Sequence, residues 1–222
     1  MAKPFLSVIV PTQDDARRLP LTLIDLDRHL STQEFSYEIL CVDNGSRDGT
    51  SEMLRRFATL VRHCKVLHNP DRRGIGAVIR EGLLAARGTW RLLHRADNAI
   101  SIVEFNKTLP YLKENYEVLT GVRNKTRGAL YARIAGAGVR DPFCFFKCFS
   151  SEAATHGASV TKMEDESVLL ELMSAGKARG YKIREVPVFE NNAKERGAPF
   201  AAPKLVWRAF KIRSRVRRGD YR

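Results

Sequence analysis

The sequence predicts an α/β fold, a mostly parallel central sheet with helices on both faces. Three observations lead there. Short β-branched runs end abruptly in turn residues, leucines at helical spacing lie between the first two runs, and the alternation of run and helix then repeats along the chain.

Leu6-Ser-Val-Ile-Val10 is the first run, stopped by Pro11, and Tyr37-Glu-Ile-Leu-Cys-Val42 is the second, stopped by Asp-Asn-Gly. Leu19, Leu23, Leu26 and Leu30 place a helix between them. Ser51 to Leu60 reads as helix, Lys65-Val-Leu-His68 as strand, and Gly76 to Ala86 as helix until Gly88 stops it. Thr89 to His94 supplies a fourth strand. Residues 120–150 are irregular and rich in Gly, Arg and Phe, Val168 to Ala178 is again helical, and Tyr181 to Val188 alternates like a last strand with one wet face. In a parallel sheet the ligand crevice lies beyond the carboxyl ends of the strands, so the informative loops are 11–18, 43–50, 69–76 and 95–101.

A chain of 222 residues with 44% hydrophobic composition holds one full domain with a buried core. The six apolar or small residues from Phe5 to Val10 are too few for a signal-peptide core, and no apolar run reaches 18 residues, so a cytoplasmic protein with at most peripheral membrane contact is expected. Cys41, Cys64, Cys144 and Cys148 form no CxxC pair, which speaks against a zinc site and for reduced thiols. The net charge of +13 asks for an anionic partner. Residues 201–222 carry eight Lys or Arg against Asp220, a net +7 of that total. On a helix, Lys204, Arg208, Lys211, Arg215 and Arg218 share one face beside an apolar stripe of Leu205, Ala209, Ile212 and Val216. That pattern suits an anionic membrane surface met by residues 203–218, or docking on the protein's own core. No nucleic-acid motif accompanies the charge, so nucleic acid is not the expected partner.

The ordered set of motifs is more specific than any one of them. Ser7-Val-Ile-Val-Pro11 with Asp14 and Asp15 behind it, Val42-Asp-Asn-Gly-Ser-Arg-Asp-Gly-Thr50, the Gly74 to Gly88 helix, Arg95-Ala-Asp97 and Glu104-Phe105 follow one another at spacings that resemble family 2 glycosyltransferases of the GT-A fold. The likeness is greatest to the subgroup that makes polyprenyl-phosphate sugars, such as dolichyl-phosphate mannose or glucose synthases. Arg123, Asp141 with Phe146-Lys147, and the segment Arg179 to Pro187 extend it over nearly the whole chain. The resemblance implies a GT-A domain over residues 1–200, a basic amphipathic tail over 201–222, and transfer from a UDP- or GDP-sugar to a lipid-phosphate acceptor with inversion.

By position, the resemblance places Pro11, Asp15, Asp43 and Gly45 in the nucleoside pocket, lets Gly74 and Gly76 bring backbone close to the nucleotide with Arg80 one turn on, and sets Ala96 and Asp97 at the diphosphate. The family's Asp-Ala-Asp, which holds a divalent cation, Mg or Mn, reads Arg95-Ala96-Asp97 here. Asp97 is then the one metal ligand left in that motif, and a hard cation wants several oxygens. Arg95 replaces the metal at the diphosphate, or a weak metal persists at Asp97, or catalysis is lost. Ile75 between the glycines, where the family commonly has Lys, favours the last. Arg123, Lys125, Arg127, Arg133, Arg140 and Lys147 are candidates for the acceptor phosphate, with Arg123 and Lys147 in a catalytic role, or else a solvated face. A lipid phosphate is already an anionic nucleophile and needs no base, whereas a hydroxyl acceptor would use one, for which Glu164-Asp165-Glu166 is the candidate against a plain helix N-terminus.

Overall fold

The structure, a computed structural model, describes residues 3–124, 126, 128–191 and 203–222. The strands β1 (Leu6–Thr12), β2 (Tyr37–Asn44), β3 (Cys64–Asn69), β4 (Trp90–Leu93), β5 (Val118–Arg123), β6 (Lys147–Ser150) and β7 (Ile183–Val188) form one sheet in the order β3-β2-β1-β4-β6-β5-β7. β6 runs antiparallel to both neighbours and every other pairing is parallel. The helices are α1 (Leu19–Ser31), α2 (Thr50–Leu60), α3 (Ile75–Ala85), α4 (Ala129–Ala135), α5 (Ser151–Val160), α6 (Ser167–Arg179) and α7 (Pro203–Arg218), with two 3-10 helices at Ile102–Lys107 and Leu109–Lys113.

Strand alternation divides the core into two layers, because successive side chains leave a strand on opposite faces. Val8 and Val10 point to the layer that receives Leu19, Leu23, Leu26 and Leu30 of α1 and Leu54 of α2. Ile9, Leu40 and Val42 point to the other, filled by α3, α4, α5, α6 and α7. Pro11 was expected to end β1, yet the strand runs on to Thr12. Pairing with β4 stops at Ile9–Leu93, so the missing proline N–H faces a gap in the sheet rather than a ladder, and β2 alone carries the last three residues. That gap is where the cleft opens.

Residues 120–150 hold β5, α4 and β6, which local pattern concealed. β6 is four residues long and its partners lie more than fifty residues away on β4 and about thirty away on β5. A segment so short takes its conformation from the ladders on either side.

The carboxyl-terminal helix is packed, not free. Ala209, Ile212 and Tyr221 are fully buried in the layer formed with α4 and α6. The expected basic face is therefore corrected. Arg215 turns inward onto the buried Glu171, and Arg208 pairs with Asp165 at the start of α6. Trp207 and Phe210 take the outer surface instead, 62% and 59% exposed, with Lys211 over the Trp207 ring at 5.2 Å.

Candidate active site

A cleft of about 210 Å³ opens at the carboxyl ends of β1, β2 and β4. Pro11, Thr12, Gln13, Asp15 and Arg18 enter from β1 and the loop after it, Asn44 from β2, Ile75 and Val78 from α3, Arg95, Ala96 and Asp97 from the segment after β4, and Phe145 and Glu166 close the far wall. Five expected site residues, Pro11, Asp15, Arg95, Ala96 and Asp97, thus meet in one place.

The loop after β1 is held by the loop after β2. Asp14 sits at φ 54°, donates its N–H to Ser46 Oγ at 3.0 Å and accepts from the Arg47 N–H at 2.7 Å. Ala16 N–H reaches Asp48 at 3.1 Å and Asp15 N–H reaches Thr50 Oγ1 at 2.9 Å. With its backbone pinned, Asp15 presents a nearly buried carboxylate that accepts from Thr12 Oγ1 and the Gln13 N–H and pairs with Arg18 at 2.5 Å. Arg18 keeps 61% of its side chain in solvent at the mouth.

Arg95 and Asp97 face each other across Ala96. Nε and Nη2 of the guanidinium reach the two carboxylate oxygens at 3.3 Å each, and the guanidinium stands 5.6 Å from the Phe145 ring centre. Burial lowers the Arg95 pKa, with Glu166 and Glu190 pulling the other way. His94, just before it, is buried, and its imidazole is pushed down to about 4, so it is neutral at ordinary pH and adds no second charge behind Arg95.

This donor set does not fit a hard divalent cation. Asp97 is the motif's one carboxylate and already faces a cation, and among the described residues no three His, Cys, Asp or Glu side chains gather as a ligand set. A Mg or Mn ion prefers several oxygen ligands and would be repelled by the guanidinium.

The remaining expected residues lie outside the cleft, each for a visible reason. Asp43 is fully buried beneath it. Burial opposes its charge, but donors from Ser46 (Oγ at 2.5 Å), Ser51 and His68 (Nδ1 at 3.0 Å) outweigh that and hold its carboxyl below the usual range. Gly45, at φ 64°, forms the turn above it. Gly74 and Gly76 admit the 163–164 backbone: a Cβ on either would stand about 2 Å from the Glu164 or Met163 carbonyl oxygen, and Gly76 N–H donates to Glu164 O at 2.9 Å. Arg80 follows the same segment, donating to Met163 O at 2.7 Å and pairing with Glu164. These three contacts fix the loop that carries Glu166.

Arg123 forks onto the buried Asp141 at 2.7 and 2.8 Å and lies 3.4 Å from Glu190. Burial works against its charge, but the Asp141 pair outweighs this and raises its pKa. Lys147 is fully buried on β6 and donates to Thr120 Oγ1 at 2.9 Å. Arg140 pairs with Glu185 at 3.0 Å, and Arg133 is exposed on α4. Lys125 and Arg127 lie outside the described residues. Arg123 and Lys147 therefore brace the 141–147 segment that delivers Phe145 to the cleft, and neither lines it.

Sequence reasoning passed over Arg18, Thr12, Gln13, Val78 and Phe145. Arg18 had a signal, since it stands three residues from Asp15 in an informative loop. Phe145 had none, because only the pairing of β6 with β4 and β5 brings the segment before β6 to the cleft. Of the acidic triplet, Glu166 alone lines the cleft; Glu164 and Asp165 pair with Arg80 and Arg208.

Comparison with known proteins agrees with this geometry. A dolichyl-phosphate beta-glucosyltransferase of Trichomonas vaginalis is 29% identical over 212 aligned residues, covering 83% of this chain and 63% of the relative. A human protein of the same description is 26% identical, covering 82% and 66%. The chain thus spans a little under two thirds of the length of these relatives. Among solved structures, glucosyl-3-phosphoglycerate synthase from Mycobacterium tuberculosis with uridine diphosphate superposes at a TM-score of 0.73 over 96% of this chain and 80% of that one, at 18% identity. Its complex with Mn2+, UDP-glucose and phosphoglyceric acid gives 0.71 over 95% and 79%, at 16% identity. At that identity the likeness is one of fold, GT-A. The profile of glycosyl transferase family 2 matches residues 7–145, from β1 to the phenylalanine of the cleft wall, and the chain belongs to that family.

Proposed function

We propose that the chain transfers a glycosyl group from a UDP- or GDP-sugar to a polyprenyl phosphate, with inversion, and that Arg95 supplies the positive charge that a metal supplies elsewhere. The observation that carries this reading is the placement of Arg95 inside the cleft, steered by Asp97 and flanked by Phe145. A guanidinium forks onto phosphate oxygens and stays charged. Asp97 holds Nε and Nη2 loosely, so a diphosphate can share the fork.

The nucleoside lies along Pro11, Thr12 and Asp15, with Asp43 supporting the pocket from beneath and Asn44 beside it. A lipid-phosphate oxygen attacks the anomeric carbon, the bond to the diphosphate breaks, and the electron pair leaves with the nucleoside diphosphate onto Arg95 and Arg18. No proton has to move, since the attacking oxygen is already an anion. The likeness to dolichyl-phosphate beta-glucosyltransferases supports a dolichyl-type acceptor.

Residues 1–200 form the transferase unit in this reading, and α7 holds it at the anionic cytoplasmic face of a membrane. The outward strip of α7, Lys204, Trp207, Phe210, Lys211, Arg217 and Arg218, joins two aromatics with cations, the pairing that suits an interface. Among the described residues no helix is long and apolar enough to cross a membrane.

A second reading, a nucleotide-sugar binding protein without turnover, is favoured by one observation. Ile75 lines the cleft where a cation would face the donor. Calorimetry with UDP-glucose and GDP-mannose, with manganese or with chelator, followed by transfer to a short polyprenyl phosphate, separates the readings. Binding with turnover supports the enzyme and binding without turnover the binder. No binding of either nucleotide sugar under either condition removes both.

A further inference from the structure

We propose a second anion site, built for a phosphoryl group, in the recess at the opposite end of β4 from Arg95. The recess measures about 500 Å³, and Lys3, Arg91 and Arg179 line it. Glu152 is the one carboxylate among its lining residues, and it accepts from the Tyr181 hydroxyl at 3.2 Å.

Arg91 makes this more than a solvated basic face. It is 8% exposed, and its Nη1 donates to Leu83 O at 2.5 Å and to Thr155 Oγ1 at 3.1 Å. Nε is buried with no hydrogen-bond partner, and among the described residues no carboxylate pairs with Arg91, Arg179 or Lys3. Burial lowers the Arg91 pKa, and the one carboxylate that opposes this, Glu38, is already paired with Lys65 at 2.7 Å, so the Arg91 charge is incompletely balanced and an oxyanion in the recess would complete it.

The amino-terminal turn of α5 closes the recess. Ser150 caps the helix by accepting from the Ala153 N–H at 3.2 Å, and Ser151 and Glu152 of the first turn line the recess. A helix N-terminus is the positive end of its dipole and directs N–H groups outward. Two guanidiniums, an ammonium, a helix N-terminus and the Ser151 hydroxyl match the charge and the several acceptor oxygens of a phosphate. The site stands apart from the cleft and does not depend on the transferase reading. Free phosphate, including that of a small phosphorylated metabolite, and a lipid phosphate headgroup present the same chemistry.

The test titrates the full chain at low ionic strength with inorganic phosphate, by calorimetry, beside Arg179→Gln, Arg91→Gln and a control with Arg55→Gln and Arg56→Gln, both exposed on α2. Arg179 is exposed, so its variant keeps the proposal testable if the Arg91 variant fails to fold. One saturable site is expected, weakened about tenfold by Arg179→Gln, the loss of one charge-assisted contact, unchanged in the control and not displaced by UDP. Absence of saturable binding, equal affinity in Arg179→Gln and the parent, or displacement by UDP overturns it. Vesicles of phosphatidylcholine with phosphatidic acid identify the source. Loss of vesicle binding in Arg179→Gln assigns a headgroup, and unchanged vesicle binding beside weakened phosphate binding assigns a free phosphate.

Discussion

Arg95 lies against Asp97 with two of its nitrogens 3.3 Å from the two carboxylate oxygens, so the residue that departs from the family's metal motif occupies the carboxylate that the motif retains. Arg95→Gln is expected to lower turnover by about 10²-fold or more, the scale of losing one charge-stabilising group. Activity of the parent is expected to survive chelator, whereas Arg95→Asp, which restores a second carboxylate, becomes manganese-dependent. Equal chelator sensitivity in the two proteins would count against the role given to Arg95.

Glu166 reports on the acceptor. With a lipid phosphate no base is needed, and Glu166→Gln keeps its rate within a few fold; with a hydroxyl acceptor the same change costs about 10² to 10⁴. Comparing kcat for the variant and the parent on polyprenyl phosphate decides it, and a large loss there points to a proton that the lipid-phosphate mechanism does not require.

Arg215 and Glu171 form a buried pair that ties α7 to α6, and Glu171 also accepts from the Lys162 and Met163 N–H groups and from Tyr221 Oη at 2.7 Å. Arg215→Met leaves that carboxylate without its cation and is expected to cost about 3–5 kcal/mol in urea unfolding. Adding Glu171→Gln should recover part of the loss. A variant as stable as the parent would show that α7 is not held through this pair.

Lys147 gives the fold a pH dependence of known sign. Burial pushes its amine down to about 8 from 10.5, against smaller opposing effects of Cys144 and Asp141. Below pH 8 the folded protein bears the full cost of a buried charge. Between 8 and 10.5 the folded lysine has lost its proton while the unfolded one keeps it, so its contribution to stability rises with pH through that window, by about 3 kcal/mol in all. Unfolding curves of the parent and Lys147→Met, compared at pH 7, 9 and 10.5, should converge or cross as pH rises; a constant difference would exclude the effect.

Trp207→Ser with Phe210→Ser tests the outward strip. Both side chains are exposed, so the fold should hold while partition onto vesicles rich in phosphatidylglycerol falls roughly tenfold or more, given the apolar area of two aromatics. Salt should weaken parent and variant alike, since the cations remain and each contributes about 1 kcal/mol near an anionic surface. Unchanged partition would remove α7 from the interface.

The sequence alone settled the βαβ order, the loops that meet at the cleft, and the family, because strands and helices of this kind carry their periodicity locally and the motifs sit at fixed offsets from strand ends. Leu19, Leu23, Leu26 and Leu30 needed no partner to be read as a helix face, and Pro11, Asp15 and Arg95 to Asp97 were placed by order along the chain. The tertiary structure decided what those residues touch. Gly76 reads as a loop glycine until the Met163 carbonyl is found 2.0 Å from where its Cβ would stand, and Arg123 and Lys147 read as free cations until Asp141 and Thr120 are found against them. The same holds for α7: the heptad-like spacing of its cations was legible, but whether Arg208 and Arg215 face water or Asp165 and Glu171 depends on acids forty residues distant, and only packing brings those together.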